Sequence, residues 1–244
     1  MNIFDVHTHV QFAAYDADRE AVIARARVAG VKMITVGTQV ANSRAAIALA
    51  QAYPDDVWAT AGFHPAHTSS SWYHDRKEQT REQQETFDAD ALREFAQHPR
   101  VVAVGECGLD YYRLPSDKVK ATRDKEEQKE VFLAQAEIAQ EVGKPLMIHC
   151  RPSYVKTSEG KPISTDDAYE DLLVLVPSAQ CLVPKIVHFY VGSLAITKKL
   201  VDAGFYFTFG GVITFPPSRK ATEGKCAGDY DEQIKYIPLD RILL

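Results

Sequence analysis

Short apolar runs recur along this chain, and each is followed by a stretch with the spacing of a helix. The runs cover residues 3–6, 33–37, 57–62, 101–105, 145–148, 185–189 and 205–209, and an eighth begins at Ile242-Leu243-Leu244. They are predominantly apolar rather than alternating, which is how a strand reads when both of its faces are buried. The helical stretches between them have legible ends. Asp88 opens one through Leu92 and Phe95, and Ser193 caps another that ends at Gly204. Val131, Ala134, Ile138 and Val142 space a third, from Lys125 to Val142, which stops at Gly143 with Pro145 beyond.

Strand, helix and strand in repetition specify parallel βαβ units. A doubly wound open sheet and a closed eightfold barrel both satisfy that rhythm. No GxGxxG or GxxxxGK-S/T follows the first run, so the open sheet lacks its usual nucleotide-binding loop. The chain has 244 residues, close to the ~250 that an eightfold barrel typically needs. The expected fold is α/β, a TIM-type (β/α)8 barrel forming one domain over residues 1–244, with the eighth strand only begun before the chain ends.

Composition removes several function classes. No run approaches the ~18 apolar residues of a membrane span, and the first residues lack the basic and apolar regions of a secretory signal. A net charge of −5 is not that of a basic nucleic-acid coat, so contact with phosphate needs a local patch or bound metal. Cys107, Cys150, Cys181 and Cys226 form no CxxC pair, which predicts reduced thiols and a cytoplasmic location.

The ends of the apolar runs are rich in metal ligands. The first finishes Asp5-Val6-His7-Thr8-His9, and residues i and i+2 on a strand share a face about 7 Å apart, so both imidazoles can converge on one ion. A lone HxH is weak, and alone it reads as two partly buried histidines. The fourth run ends in Glu106, the fifth at His149 and the sixth at His188. A carboxylate directly after an apolar strand is costly to bury unless something positive meets it. The set predicts a metal site at the C-terminal ends of the strands, where barrel enzymes build their chemistry. Imidazoles with a carboxylate suit Zn, Mn, Fe or Co, whereas Mg prefers more oxygen. Five ligands exceed the needs of one tetrahedral ion, so two divalent ions sharing Glu106 are expected, and with them hydrolysis.

These residues resemble the TatD-type deoxyribonuclease family, metal-dependent hydrolases of the amidohydrolase-like barrel group. The resemblance rests on Asp5-Val6-His7-Thr8-His9, Ala61-Gly62-Phe63-His64-Pro65, the block from Val104 to Arg113, Ile148-His149-Cys150-Arg151, Val187-His188-Phe189 and the closing segment from Ile237 to Leu244. It spans the whole chain in order. It implies that His7 and His9 hold one metal and His149 and His188 the second, with Glu106 shared. It places His64 opposite the scissile phosphate as a catalytic group beside Glu106, and makes Arg113 and Arg151 candidates for phosphate contact, which a guanidinium fork suits. The implied activity is a 3′→5′ exodeoxyribonuclease acting on DNA, single-stranded or at 3′ ends, with Mg remaining among the possible metals.

One departure stands out. In that family the last strand continues into Glu-Thr-Asp, whose aspartate is a ligand and handles the proton of the attacking water. This sequence stops at Leu244, before it, which we read as truncation of the coding sequence rather than a natural design. Asp240 precedes the eighth strand and belongs to the opposite face. Loss of such a base costs ~10²–10⁴-fold in rate, so a barrel that binds metal or nucleic acid without turnover is one alternative. A D-aminoacyl-tRNA deacylase, or another ester or amide hydrolase, is the other. A lactonase or phosphotriesterase fits less well, because Glu106 stands where those enzymes commonly carry a carbamylated lysine.

Residues 65–86 and 152–167 form long polar connections, read as solvated excursions or site loops. His67, His74 and His98 are expected at the solvated surface. Cys107 and Cys150 should face away from the lumen as small buried hydrophobes. Asp110 and Asp5 are expected to support ligands, and Tyr111 and Tyr112 to stack bases or to pack their loop. The sequence specifies no oligomer.

Overall fold

The computed structural model describes residues 3–68, 72, 74–156, 162–177, 180–214 and 230–244. Cys226, Gly160 and Lys161 lie outside the described residues. In chain order the elements begin β1 (Ile3–Thr8), α1 (Arg19–Val28), β2 (Val31–Thr35), α2 (Val40–Ala52), β3 (Val57–Ala61), α3 (Ala89–Gln97), β4 (Val101–Asp110), α4 (Lys118–Val142) and β5 (Leu146–Arg151). They continue with β6 (Tyr154–Lys156), β7 (Pro162–Ser164), α5 (Asp167–Leu175), β8 (Lys185–His188), α6 (Leu194–Asp202), β9 (Phe205–Thr208), α7 (Asp231–Tyr236) and β10 (Ile242–Leu243).

Eight of these strands form one parallel sheet in the order β1-β2-β3-β4-β5-β8-β9-β10, wound into a nearly closed barrel with helices between the strands. Among the described residues no ladder joins β10 to β1, but the Val6 N–H donates to the Leu244 carbonyl across that seam at 2.8 Å. The eighth strand is only two residues long, as its sequence suggested.

Strand alternation sorts the side chains into two cores. Val104, Leu146, Ile148 and Val187 point outward and pack beneath the helices with Phe132, Ile138 and Leu172. Ala103, Met147 and Ile186 point inward and, with Tyr206 and Leu243, fill the lumen. Two residues beyond Met147 is His149, and two beyond Ile186 is His188, so the same faces carry both imidazoles one layer above this apolar floor.

The helix ends follow their capping residues. Asp88 accepts the Asp90 and Ala91 N–H groups at 3.1 and 3.0 Å, and Ser193 accepts that of Ile196 at 3.3 Å. Helix α4 ends at Gly143, whose φ of 65° is the left-handed conformation that glycine adopts without steric cost. It begins at Lys118 rather than Lys125, capped by Asp117, which accepts the Lys120 N–H at 2.9 Å. Its first two turns are mostly polar and Val119 is exposed, so apolar periodicity could not reveal them. The connection over 152–167 likewise contains more than a solvated excursion, because β6 and β7 pair within it as an antiparallel hairpin. No helix among the described residues is long and apolar enough to cross a membrane.

Candidate active site

Glu106 is the centre of the site, and its placement depends on an irregularity in β4. Val104 pairs with Leu146 and Cys107 with Ile148, so three steps along β4 oppose two along β5. Such bulges re-aim side chains. Gly105 and Gly108 permit it with φ of 148° and 135°, and a Cβ at Gly108 would collide with the His149 carbonyl. The Glu106 N–H leaves the ladder and donates to the Gly37 carbonyl at 2.7 Å. The carboxylate is buried inside the barrel mouth at 4% exposure.

Each oxygen of Glu106 meets a different pair of imidazoles. Oε2 lies 3.4 Å from His7 Nε2 and 3.8 Å from His9 Nε2. Oε1 lies 3.1 Å from His149 Nδ1 and 3.5 Å from His64 Nε2. Two potential ion-holding groups result, His7 with His9 and Glu106, and His64 with Glu106 and His149. His149 and His188 are register partners on β5 and β8, yet the nitrogens that gather on Oε1 are those of His149 and His64. His188 instead lies flat against His7, with ring centroids 3.3 Å apart and planes at 8°.

Hydrogen bonds set the imidazole tautomers. His9 Nδ1 faces the Val36 carbonyl at 3.2 Å and must donate to it, leaving the Nε2 lone pair directed at His7 and Glu106. His64 has the opposite arrangement. Its Nδ1 accepts the Ala66 N–H at 3.0 Å, so the proton resides on Nε2, which faces Glu106 Oε1 in the cavity wall as a donor. His149 is held at both ends, with Nδ1 on Glu106 and Nε2 3.3 Å from Asp110 Oδ2.

The protonation states follow. Burial lowers the pKa of His9 to about 4, and burial with the neighbouring His149 lowers that of His64. Burial and His7 push His188 well below the usual imidazole range. Burial opposes charge at Glu106, but His64 and His7 and the hydrogen bonds from His149 and His64 hold it well below the usual carboxylate range. Burial also opposes charge at His149, where the bonds to Asp110 and Glu106 prevail and raise it to about 9. A buried carboxylate among mostly neutral imidazoles is a donor set that divalent cations satisfy. His7 Nδ1 is buried with no hydrogen-bond partner among the described residues, and His7 Nε2 lies 3.1 Å from His9 Nε2. Both observations fit a site that holds cations.

The cavity above this cluster has a volume of about 520 Å³, and Arg113, Arg151, Asp110, His188 and Phe189 border it. The Arg151 guanidinium lies over the Tyr112 ring, 3.6 Å from its centroid. Tyr111 is buried and donates its hydroxyl to Asp171 at 2.7 Å, so it packs the loop. Asp110 supports His149, and Asp5 accepts the His7 N–H at 3.1 Å. Cys107 and Cys150 are buried in the apolar layer under the helices, as strand alternation requires. Asp240 is exposed in the turn that precedes β10, away from the cavity.

His67 departs from its expected place at the surface. It is 6% exposed and borders the cavity. Its Nε2 lies 3.1 Å from Glu78 Oε1, and Trp72 donates to its Nδ1 at 3.2 Å. Glu78 also takes the hydroxyl of Thr38 and the Asn42 amide, the latter at 2.9 Å, which draws the connection over 65–86 down against the barrel. His74 and His98 are half-buried; His98 is engaged by Gln51 and by the Arg100 N–H, both at 3.1 Å. Sequence reasoning also missed Gln128 and Gln135, fully buried on α4 and two helical turns apart. Gln128 grips both main-chain groups of Asp110, and Gln135 both those of Phe63. The signal was available as two glutamines seven residues apart on the helix face that carries Phe132 and Ala139.

Eight parallel strands around a histidine–carboxylate pit that opens at their C-terminal ends define a metal-dependent hydrolase of the (β/α)8 class. The model of the family described as TatD related DNase matches residues 4–244, and the chain belongs to that family. The 3′-5′ ssDNA/RNA exonuclease TatD of Salmonella typhimurium is 33% identical over 244 residues, covering 99% of this chain and 77% of the relative. The uncharacterized metal-dependent hydrolase YabD of Bacillus subtilis is 31% identical over 244 residues, covering 99% and 78%. Among solved structures, the TatD homologue YJJV of Escherichia coli K12 aligns with a TM-score of 0.70 at 26% identity, over 99% of this chain and 77% of that one.

Proposed function

We propose that this chain is a phosphodiesterase using two divalent cations, which removes nucleotides from the 3′ end of single-stranded DNA. The carrying observation is the division of Glu106 between two imidazole pairs, one carboxylate oxygen to each. His7 and His9 with one oxygen, and His149 with the other, would hold the cations, with His188 against His7 completing the wall. Zn, Mn, Mg, Fe and Co are the candidates. Bound there, such cations polarise a phosphoryl oxygen and lower the pKa of water. The substrate class is supported by the relatives named as 3′-5′ ssDNA/RNA exonucleases.

The chain's own residues have separable tasks. His9 offers a lone pair at Nε2 because Val36 fixes its tautomer, which is how a ligating histidine is usually oriented. His64 carries its proton at Nε2 because Ala66 occupies its other nitrogen; that proton faces Glu106, and it is freed to donate a hydrogen bond to a phosphate oxygen when the carboxylate holds a cation. Arg113 and Arg151 border the same cavity and supply charge to the phosphate. Asp110 holds His149 in place. The buried free thiols Cys107, Cys150 and Cys181 fit a reducing compartment, and we place the protein in the cytoplasm.

The test is degradation of 5′-labelled single-stranded DNA with Mg, Mn or Zn supplied. A ladder shortening from the 3′ end is expected, absent in Glu106→Ala. An intact oligonucleotide alongside turnover of D-aminoacyl-tRNA would replace this reading by the esterase one.

A further inference from the structure

Phe189 follows His188 at the rim of the cavity and departs from ordinary structure in two ways. Its φ is 50°, in the left-handed region that bulky residues rarely adopt, and Asp166 is the only other described non-glycine residue with positive φ. Its side chain is also 45% exposed. The conformation is imposed by the neighbouring strand. The Phe189 N–H donates to Thr208 Oγ1 at 3.1 Å, and the Tyr190 N–H to the Thr208 carbonyl at 2.9 Å. Gly210 completes the arrangement, because a Cβ there would collide with Cε2 and Cδ2 of the Phe189 ring.

Backbone strain at 189 and a missing side chain at 210 thus serve one result, a phenyl ring laid beside the cavity. A ring left this exposed gains little from folding, so core packing does not account for it. Strain of this kind, held in place by surrounding structure, concentrates at ligand clamps and active sites. Phe12, Tyr154 and Tyr230 also border the cavity, but none of them has the left-handed backbone of Phe189, and Tyr154 meets the Tyr112 ring edge-on at 5.6 Å. Phe12 stacks on His9 with centroids 4.4 Å apart, and Arg151 covers Tyr112.

The geometry points to Phe189 as the residue on which a nucleobase of the substrate stacks while its phosphate occupies the histidine pit. A flat apolar face next to a phosphate-binding pit matches a flat aromatic group joined to a phosphate. Stacking on a phenyl face tolerates every base, so Phe189 would select base-bearing ends over bare phosphodiesters without selecting sequence. This assignment rests on the nuclease reading above.

The test compares two 5′-fluorescein oligothymidylates, one with bases throughout and one with abasic tetrahydrofuran residues at its last two 3′ positions. Binding is read by fluorescence anisotropy in Ca²⁺, and cleavage in Mn²⁺. The wild-type protein should favour the base-bearing end by about tenfold, the order expected for one stacked base. Phe189→Leu, which keeps the apolar bulk and removes the ring, should reduce that preference to less than about twofold, chiefly through KM. Phe189→Tyr should retain it. Gly210→Ala, which displaces the ring without changing it, should behave like Phe189→Leu. Equal treatment of both oligonucleotides by the wild type, with cleavage intact, overturns the role of Phe189 and spares the nuclease reading. So does a preference that persists in Phe189→Leu. If neither oligonucleotide is bound or cut, the nuclease reading fails and this assignment falls with it.

Discussion

The side-chain amide of Gln135 grips the main chain of Phe63 with both ends. Its Nε2 donates to the Phe63 carbonyl at 3.0 Å, and its Oε1 accepts the Phe63 N–H at 2.7 Å. The peptide so held leads directly into His64, so helix α4 fixes the start of the loop that carries His64 through one buried residue. Gln135→Leu would leave two buried backbone groups unpaired at about 1–3 kcal/mol each. We expect a loss of about 2–6 kcal/mol in urea denaturation. A change below about 0.5 kcal/mol, the usual size for an innocuous surface substitution, would show that the grip carries no weight.

Glu106→Gln keeps the shape of the side chain and removes its charge. Because each oxygen faces an imidazole pair, both cation positions should weaken together. Inductively coupled plasma mass spectrometry should show fewer than one ion per chain. Activity should fall by at least about a hundredfold, since even partners that only orient ligands are worth 10–100-fold. Retention of two ions would remove Glu106 from the shared position.

Asp110→Asn tests orientation rather than ligation. Asp110 Oδ2 sits 3.3 Å from His149 Nε2 and is a principal reason why His149, despite burial, is raised to about 9. In metal-free protein the imidazole titration followed by NMR should move down from about 9 in the variant. Cation affinity measured by calorimetry should fall about 10–100-fold. An unchanged titration would place the origin of the shift in Glu106 alone.

Glu78 gives the connection over 65–86 a pH dependence. Burial works to raise its carboxyl, but the hydrogen bonds from His67 and Thr38 prevail and hold it below 4.5. A depressed folded-state pKa contributes stability that is fully present above the unfolded value and is lost as pH falls through the folded one. The clamp should therefore hold at neutral pH and loosen only beneath 4.5. Trp72, bonded to His67, reports it directly: its fluorescence should show an acid transition that Glu78→Gln abolishes. Persistence of that transition in the variant would assign it to another group.

Much of the barrel was legible because its signals are local. A both-face-buried strand, a capping aspartate and a terminating glycine each lie within a few residues, and the runs predicted all eight barrel strands. His7, His9, Glu106, His149 and His188 could be picked out because each follows an apolar run. The start of α4 was not legible, since its polar opening turns carry no apolar period. His67 was misread for a related reason. Its sequence neighbours are polar, and its burial comes from Glu78 and Trp72 folding over it.

The sequence by itself determined the barrel and the layer of inward-facing imidazoles and carboxylate, because a two-residue alternation on each strand and the βαβ rhythm are written in consecutive positions. Only the tertiary structure decided how those side chains meet one another. That His64 stands with His149 on one oxygen of Glu106, that His9 presents a lone pair and His64 a proton, and that Gly210 makes room for Phe189 all depend on contacts between separate elements. Gln135 and Phe63 lie 72 positions apart, and His149 and Glu106 lie 43 apart. Hydrogen bonds act over about 3 Å of space whatever their separation along the chain. The chemistry was therefore fixed only once the strands had closed around it.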